Sequence, residues 1–172
     1  MDFFGAVKKR KSIRSFKKKE VEEEKIQKIL EAANLAPSAG NFQSYDIILI
    51  KNKETKSRLA GAAFGQNFIK DASVVFVVCA NEKRVAHYKE RGKNMYCIND
   101  ASIAAAYIEL SAASLGLGSV WVGAFDEDNA REIIEAPDFA KPIAIIPVGY
   151  PNEEPKRPKR RSLFDLVHKE KF

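Results

Sequence analysis

The chain has 172 residues, 45% of them apolar and 30% charged, which suits one folded domain and excludes a disordered chain. No apolar run approaches the ~20 residues that cross a bilayer. The start, Met1-Asp2-Phe3-Phe4-Gly5, carries no basic-then-apolar leader, so the expectation is a cytoplasmic protein that does not bind membranes. A net charge of +6 leaves two partners open, nucleic acid or an anionic cofactor or acceptor.

Residues 2–10 read as a short helix. Residues 21–35 make a stronger one, with Ile26, Ile29, Leu30 and Ala33 on one face and Glu20 and Glu22 to Glu24 at its positive end. Pro37 to Gln43 is a loop by its Pro, Ser, Gly and Asn. Ile47–Ile50 reads as a strand, Lys53–Ala63 as a helix, and the β-branched run Val74–Val78 as a buried strand. Residues 82–98 are polar and leave their state open; Tyr88, Met95 and Tyr96 there could pack helices or line an acceptor pocket. Ala101–Leu115 has almost no charge except Glu109, and a helix so apolar all round belongs at the centre. Asp100 is expected to cap its start, and Gly116 with Leu117 to end it. Val120–Val122 reads as a strand, Asp126 as the cap of a helix through Ile134, and Pro142–Val148 as a strand. After Pro151 a Pro- and Lys-rich tail closes with a short helix at Leu163–Val167. This order gives an α+β or mixed α/β plan with few strands and one dominating internal helix.

Cys79 and Cys97 form no CxxC pair, and His87 and His168 are the only imidazoles, so no metal site is expected. Cys79, inside an apolar run, reads as a small core residue. No P-loop is present. Gly116-x-Gly118 lacks the third glycine of a dinucleotide fingerprint, with Trp121 in its place, and follows a helix instead of a strand.

Three segments carry chemistry. In Arg10-Lys11-Ser12-Ile13-Arg14 three cations and a hydroxyl can surround a phosphate monoester; the plain alternative is a solvated basic stretch. They follow a helix end, whose dipole disfavours an anion, so side chains must do the binding. In Pro37-Ser38-Ala39-Gly40-Asn41-Phe42-Gln43 the amides and hydroxyl exceed what a turn requires. In Gly116-Leu117-Gly118-Ser119-Val120-Trp121-Val122-Gly123 a helix stop precedes a buried strand, and Gly123 allows a flat ligand to approach backbone closely.

Taken in order, with Pro147-Val148-Gly149-Tyr150-Pro151 before a basic tail, these segments resemble the nitroreductase family along nearly the whole chain. The resemblance implies an α+β fold, a central, mostly antiparallel sheet around a buried helix, in one domain with residues 151–172 as a basic tail. It implies an intertwined homodimer with FMN in the interface. Hydride would pass from NADH or NADPH through flavin N5 to a small acceptor such as a nitroaromatic or quinone, in ping-pong order. Arg10, Lys11, Ser12 and Arg14 match the phosphate and ribityl box of one subunit. Ser38, Asn41 and Gln43 match the loop of the other. Val122 and Gly123 match backbone at flavin N5 and O4. Arg160 and Arg161 match a C-terminal cation on the phosphate, and Asn67 and Lys70 polar residues at the pyrimidine edge. No catalytic side chain is expected, since no Ser/His/Asp set or carboxylate pair is present. Lys11 stands where the family often has Arg or His, and any lid falls to residues 82–98. Relatives that use the same fold as flavin reductases, flavin-fragmenting enzymes or dehalogenases remain alternatives. From another class, Lys156-Arg157-Pro158-Lys159-Arg160-Arg161 could bind nucleic acid, but few aromatics accompany it for base stacking.

Overall fold

The computed structural model describes residues 2–172. Helix α1 (Phe3–Lys9) starts at Asp2, whose carboxylate accepts the Gly5 N–H at 2.7 Å. Helix α2 (Glu23–Asn34) buries Ile26, Ile29 and Ala33, the face expected from its spacing. Strand β1 (Tyr45–Ile50), helix α3 (Lys53–Ala62), the short α4 (Phe68–Asp71) and strand β2 (Val74–Asn81) follow. A 3-10 stretch (Glu82–Tyr88), a three-residue α5 (Lys89–Arg91) and a π turn (Gly92–Tyr96) lead into the long helix α6 (Cys97–Ser114). Strand β3 (Gly118–Ser119), helix α7 (Glu127–Ile133), strand β4 (Ala140–Gly149) and helix α8 (Leu163–Leu166) complete the order.

The sheet runs β1-β2-β4-β3 with every neighbour antiparallel. Alternation in β2 divides the core. Val74, Phe76, Val78 and Ala80 face α2 and α6, while Val75, Val77 and Cys79 face the layer of α3, α4 and α7. Covered on both faces, β2 needs an unbroken apolar run, which is why its sequence shows no alternation. A bulge lies where Val78 and Cys79 pair with Ala144 and Pro142, beside a proline that cannot donate to the ladder. Buried on the far face, the Cys79 thiol is pushed up to about 12 by desolvation, in keeping with a core residue.

Helix α6 is the buried centre that the sequence indicates, but it starts four residues earlier than expected. Asp100 therefore does not cap it. That residue sits inside the first turn, 2% exposed, and its carboxylate serves the loop before β1 instead. The helix ends as expected: Gly116 takes φ 78°, the Leu117 N–H reaches Ala112 O at 2.9 Å and the Gly116 N–H reaches Ala113 O at 3.2 Å. The expected strand at Val120–Val122 is displaced. Pairing with β4 occurs at Gly118–Ser119, and Val122 returns only for a single bridge to Ile145, since Val120 and Val122 are drawn into the core beneath.

Candidate functional site

After α1 the chain runs along the sheet's β3 edge. Ser12 bridges Ser119 in parallel, the Ile13 N–H donates to Ser119 O at 2.9 Å, and Phe16 bridges Pro151. Gly118 makes this docking close: a Cβ there would stand 2.8 Å from Ile13 Cγ1. The edge aligns Arg10, Lys11, Ser12 and Arg14 with the tail, and together with Lys156, Arg157 and Arg160 they line a cavity of about 310 Å³ that no carboxylate lines. A second cavity of about 580 Å³ adjoins it, sharing Arg10 and Lys11 and extending over Gly118 and Ser119.

Arg157 was not singled out by the sequence. Its guanidinium donates to the carbonyls of Val7 at 3.2 Å, Lys8, and Arg10 at 3.0 Å. A cation thus covers the negative end of α1, the feature that would otherwise repel an anion. The only signal in sequence was its place in the basic tail. On the opposite side Arg10 Nη1 lies 3.5 Å from Glu109 Oε1. Burial raises the pKa of Glu109, with Arg10 and the Ser119 hydroxyl pulling it back down. Glu153 accepts the N–H groups of Arg14 and Ser15, which fixes the tail against the box.

From Ser119 the extended chain reaches Gly123 in four residues, about 13 Å at strand rise. Both backbone groups of Val122 are taken by Ile145 at 3.0 Å. The Val122 N–H is therefore taken, which departs from the expectation of backbone free to meet a ligand there, and the next residue, Gly123, is exposed. Gln66, which sequence reasoning passed over for its neighbour Asn67, donates to Ala124 O at 3.0 Å, next to Gly123.

The loop of Ser38, Asn41 and Gln43 folds on itself. Ser38 Oγ accepts the Gln43 N–H at 2.9 Å, Gln43 Nε2 donates to Asn41 Oδ1 at 2.8 Å, and Gly40 and Asn41 take φ of 55° and 59°. Asp100 anchors it through the Ala39 N–H at 2.9 Å and the Ser44 hydroxyl at 2.5 Å. Aromatic packing braces it from residues 82–98: Phe42 meets His87 at 4.5 Å and Tyr88 at 6.1 Å, and Tyr88 meets Tyr96 edge-on at 5.0 Å. Of the three residues weighed there, Tyr88 and Tyr96 join this packing, while Met95 is exposed.

The loop and the Arg10 cavity are not brought together within one chain. Their anchors, Asp100 and Glu109, are nine residues apart on α6, which is a half-turn around the helix and about 14 Å along it. Asn67 is exposed beside α4, and Lys70 lines a separate cleft with Lys17, Lys18, Lys19, Lys51 and Lys53. Arg161 turns away from the cavity to the carbonyl of Asp165, leaving Arg160 as the residue of that pair in the lining. Among the described residues no group of three or more His, Cys, Asp or Glu converges as a metal site, and no helix is long and apolar enough to cross a membrane.

The chain is similar to known proteins along nearly its whole length. Residues 7–72 and 63–150 match the nitroreductase family. A protein of Methanothermobacter thermautotrophicus, provisionally named an NADH dehydrogenase/NAD(P)H nitroreductase, is 37% identical, covering 100% of this chain and 88% of the relative. An FMN reductase [NAD(P)H] of Bacillus subtilis is 30% identical over 94% of this chain and 71% of its own length. The solved structure of an FMN-dependent nitroreductase from Clostridium difficile superposes with a TM-score of 0.84 at 34% identity, covering 98% of this chain and 99% of that one. With motifs, sheet order and both sequence and structural likeness in register along the chain, this protein belongs to the nitroreductase family.

Proposed function

We propose that this chain is an NAD(P)H-dependent FMN oxidoreductase that passes hydride from NADH or NADPH to a small acceptor, such as a nitroaromatic or a quinone. The observation that carries this reading is the carboxylate-free cavity where Arg10, Lys11, Ser12, Arg14 and Arg160 converge. Its donor set fits a phosphate dianion: guanidinium forks for paired bonds, a lysine point charge and a hydroxyl. Arg10 and Arg160 would hold the phosphate, with Lys11 and Ser12 beside it. Gly123, one extended span away, leaves room for a flat ring to lie on the backbone. The chemistry that FMN supplies when bound is two-electron hydride transfer.

The site needs a second copy. Ser38, Asn41 and Gln43 are held at the Asp100 end of α6, so they would reach a flavin only at the cavity of a partner chain. The surface supports such pairing. Ile103, Ala106, Tyr107 and Leu110 leave a partly open stripe along α6, and Phe3, Phe4 and Val7 are exposed on α1. The tail adds exposed Leu163, Phe164 and Leu166. The working unit is then a homodimer of single-domain chains in the cytoplasm. Arg157 and Arg160 point inward to α1 and the cavity, so the tail offers a nucleic acid less charge than its sequence suggests.

The test is the visible spectrum of the purified protein before and after NADPH or NADH, together with light scattering. A yellow dimer with one FMN per chain that bleaches on reduction is the expected result. A colourless protein that also ignores added FMN would overturn the assignment.

A further inference from the structure

Two carboxylates are buried among the described residues, both on α6, and they are held differently. Asp100 has two close hydrogen bonds. Glu109, 8% exposed, has none so short: its nearest partners are Arg10 Nη1 and the Ser119 hydroxyl, each at 3.5 Å. The charged form of Glu109 is therefore favoured chiefly by one guanidinium, and that guanidinium also lines the cavity assigned above to a phosphate.

We propose that Glu109 takes up a proton when a phosphate-bearing flavin binds, so that cofactor affinity and the protonation of this buried carboxylate are linked. The inference rests on the reading of the Arg10 cavity as the phosphate site. Arg10 serves two anions that compete for it. A phosphate dianion draws on the same positive charge and adds a negative one nearby, and both changes disfavour the charged carboxylate. Burial already raises its pKa, and these changes act in the same direction. Linkage is reciprocal, and lower pH must strengthen flavin binding through this group.

The surroundings of Glu109 allow few other proton acceptors. From the α1 side it meets Arg10; from β3 it meets the neutral Ser119 hydroxyl. Helix α2 and strands β1, β2 and β4 turn apolar side chains toward α6, among them Ile26, Ile29, Phe76 and Ile146. Lys8, Lys9 and Lys11, with Glu153 and Glu154, line the adjoining cavity above. The ligand's own second ionisation, near pH ~6, works in the opposite direction, because the cavity prefers the dianion. The comparison must therefore isolate Glu109.

The experiment titrates flavin-free full-length protein with FMN by calorimetry at pH 7, in two buffers of different ionisation enthalpy. Wild type and E109Q are compared, and wild type is also titrated with riboflavin, which lacks the phosphate. Wild type is expected to take up more protons with FMN than E109Q does. The affinity of E109Q should be higher at pH 8, by about fivefold, and should lose this advantage as the pH falls. Wild type with riboflavin should show no such uptake, an arm that does not depend on the variant folding. Equal proton counts for wild type and E109Q, or the same uptake with riboflavin, would overturn the inference while leaving the phosphate site intact. Failure of wild type to bind FMN at all would overturn both.

Discussion

The Ser44 hydroxyl donates to the buried carboxylate of Asp100 at 2.5 Å, joining the base of the Ser38–Gln43 loop to the first turn of the central helix. The same carboxylate accepts the Ala39 N–H. Asp100→Ala leaves a buried hydroxyl and an amide without an acceptor, and stability is expected to fall by about 3 kcal/mol. Denaturant unfolding measures the loss. Hydrogen exchange at Ala39 should quicken in the variant while the strand amides of β2 stay protected, because the loop is released before the core.

Gly118 and Ile13 share one space at the β3 edge. Gly118→Ala must push the Ile13 side chain outward, at a cost of about 2 kcal/mol for overpacking. Combining it with Ile13→Ala should destabilise by less than the sum of the two single changes, since Cγ1 and Cγ2 are removed and only the Cβ contact at 2.9 Å is left. Additive losses in urea midpoints would refute the contact.

Arg157 covers three carbonyls at the end of α1. Arg157→Ala is expected to reduce stability by only about 1 kcal/mol, because the group is exposed. FMN affinity should fall about fivefold as the uncovered helix end turns its negative pole toward the phosphate. Equilibrium dialysis or fluorescence quenching of the flavin reads this directly.

Acid sensitivity has a marker in Glu22. Hydrogen bonding from the Tyr150 hydroxyl, at 2.7 and 2.6 Å to its two oxygens, is the main cause that lowers its pKa from 4.5 to about 2, with Lys25 assisting. A depressed carboxylate contributes stability that is present above its unfolded value and lost as pH falls through the folded one. Wild type should therefore exceed Tyr150→Phe in Tm above pH 4.5, and the gap should close toward pH 2. A gap that stays constant across that window would refute the contact.

Both thiols are buried with pKa values raised by desolvation, Cys79 to about 12. Native protein at pH 8 should react negligibly with a thiol reagent, and both cysteines should react once it is unfolded.

Much of the candidate site was legible in the chain because its parts are local. Arg10 to Arg14 form one short box, and the helix stop at Gly116 and Leu117 follows from a glycine in the left-handed region. Periodicity likewise revealed the buried face of α2, and an unbroken β-branched run the burial of β2. Other features depended on contacts remote in sequence. Arg157 meets α1 across 147 or more positions, and no local pattern marks it out from Lys156 or Lys159. Asp100 looked like a cap because it precedes an apolar run, yet the π turn and the loop anchor it in a different role.

What the sequence determined by itself was the order of elements, the apolar centre at α6 and the inventory of cations, each written in spacing and residue type. Only the tertiary structure decided which cations share a cavity, that Ile145 consumes the backbone of Val122, and that Glu109 lies beneath Arg10. It also separated the Ser38 loop from that cavity by about two and a half turns of α6. The reason is physical: spacing along a chain encodes the faces of single elements, whereas the pairing of charges and backbone groups is settled only when packed elements compete for the same partners.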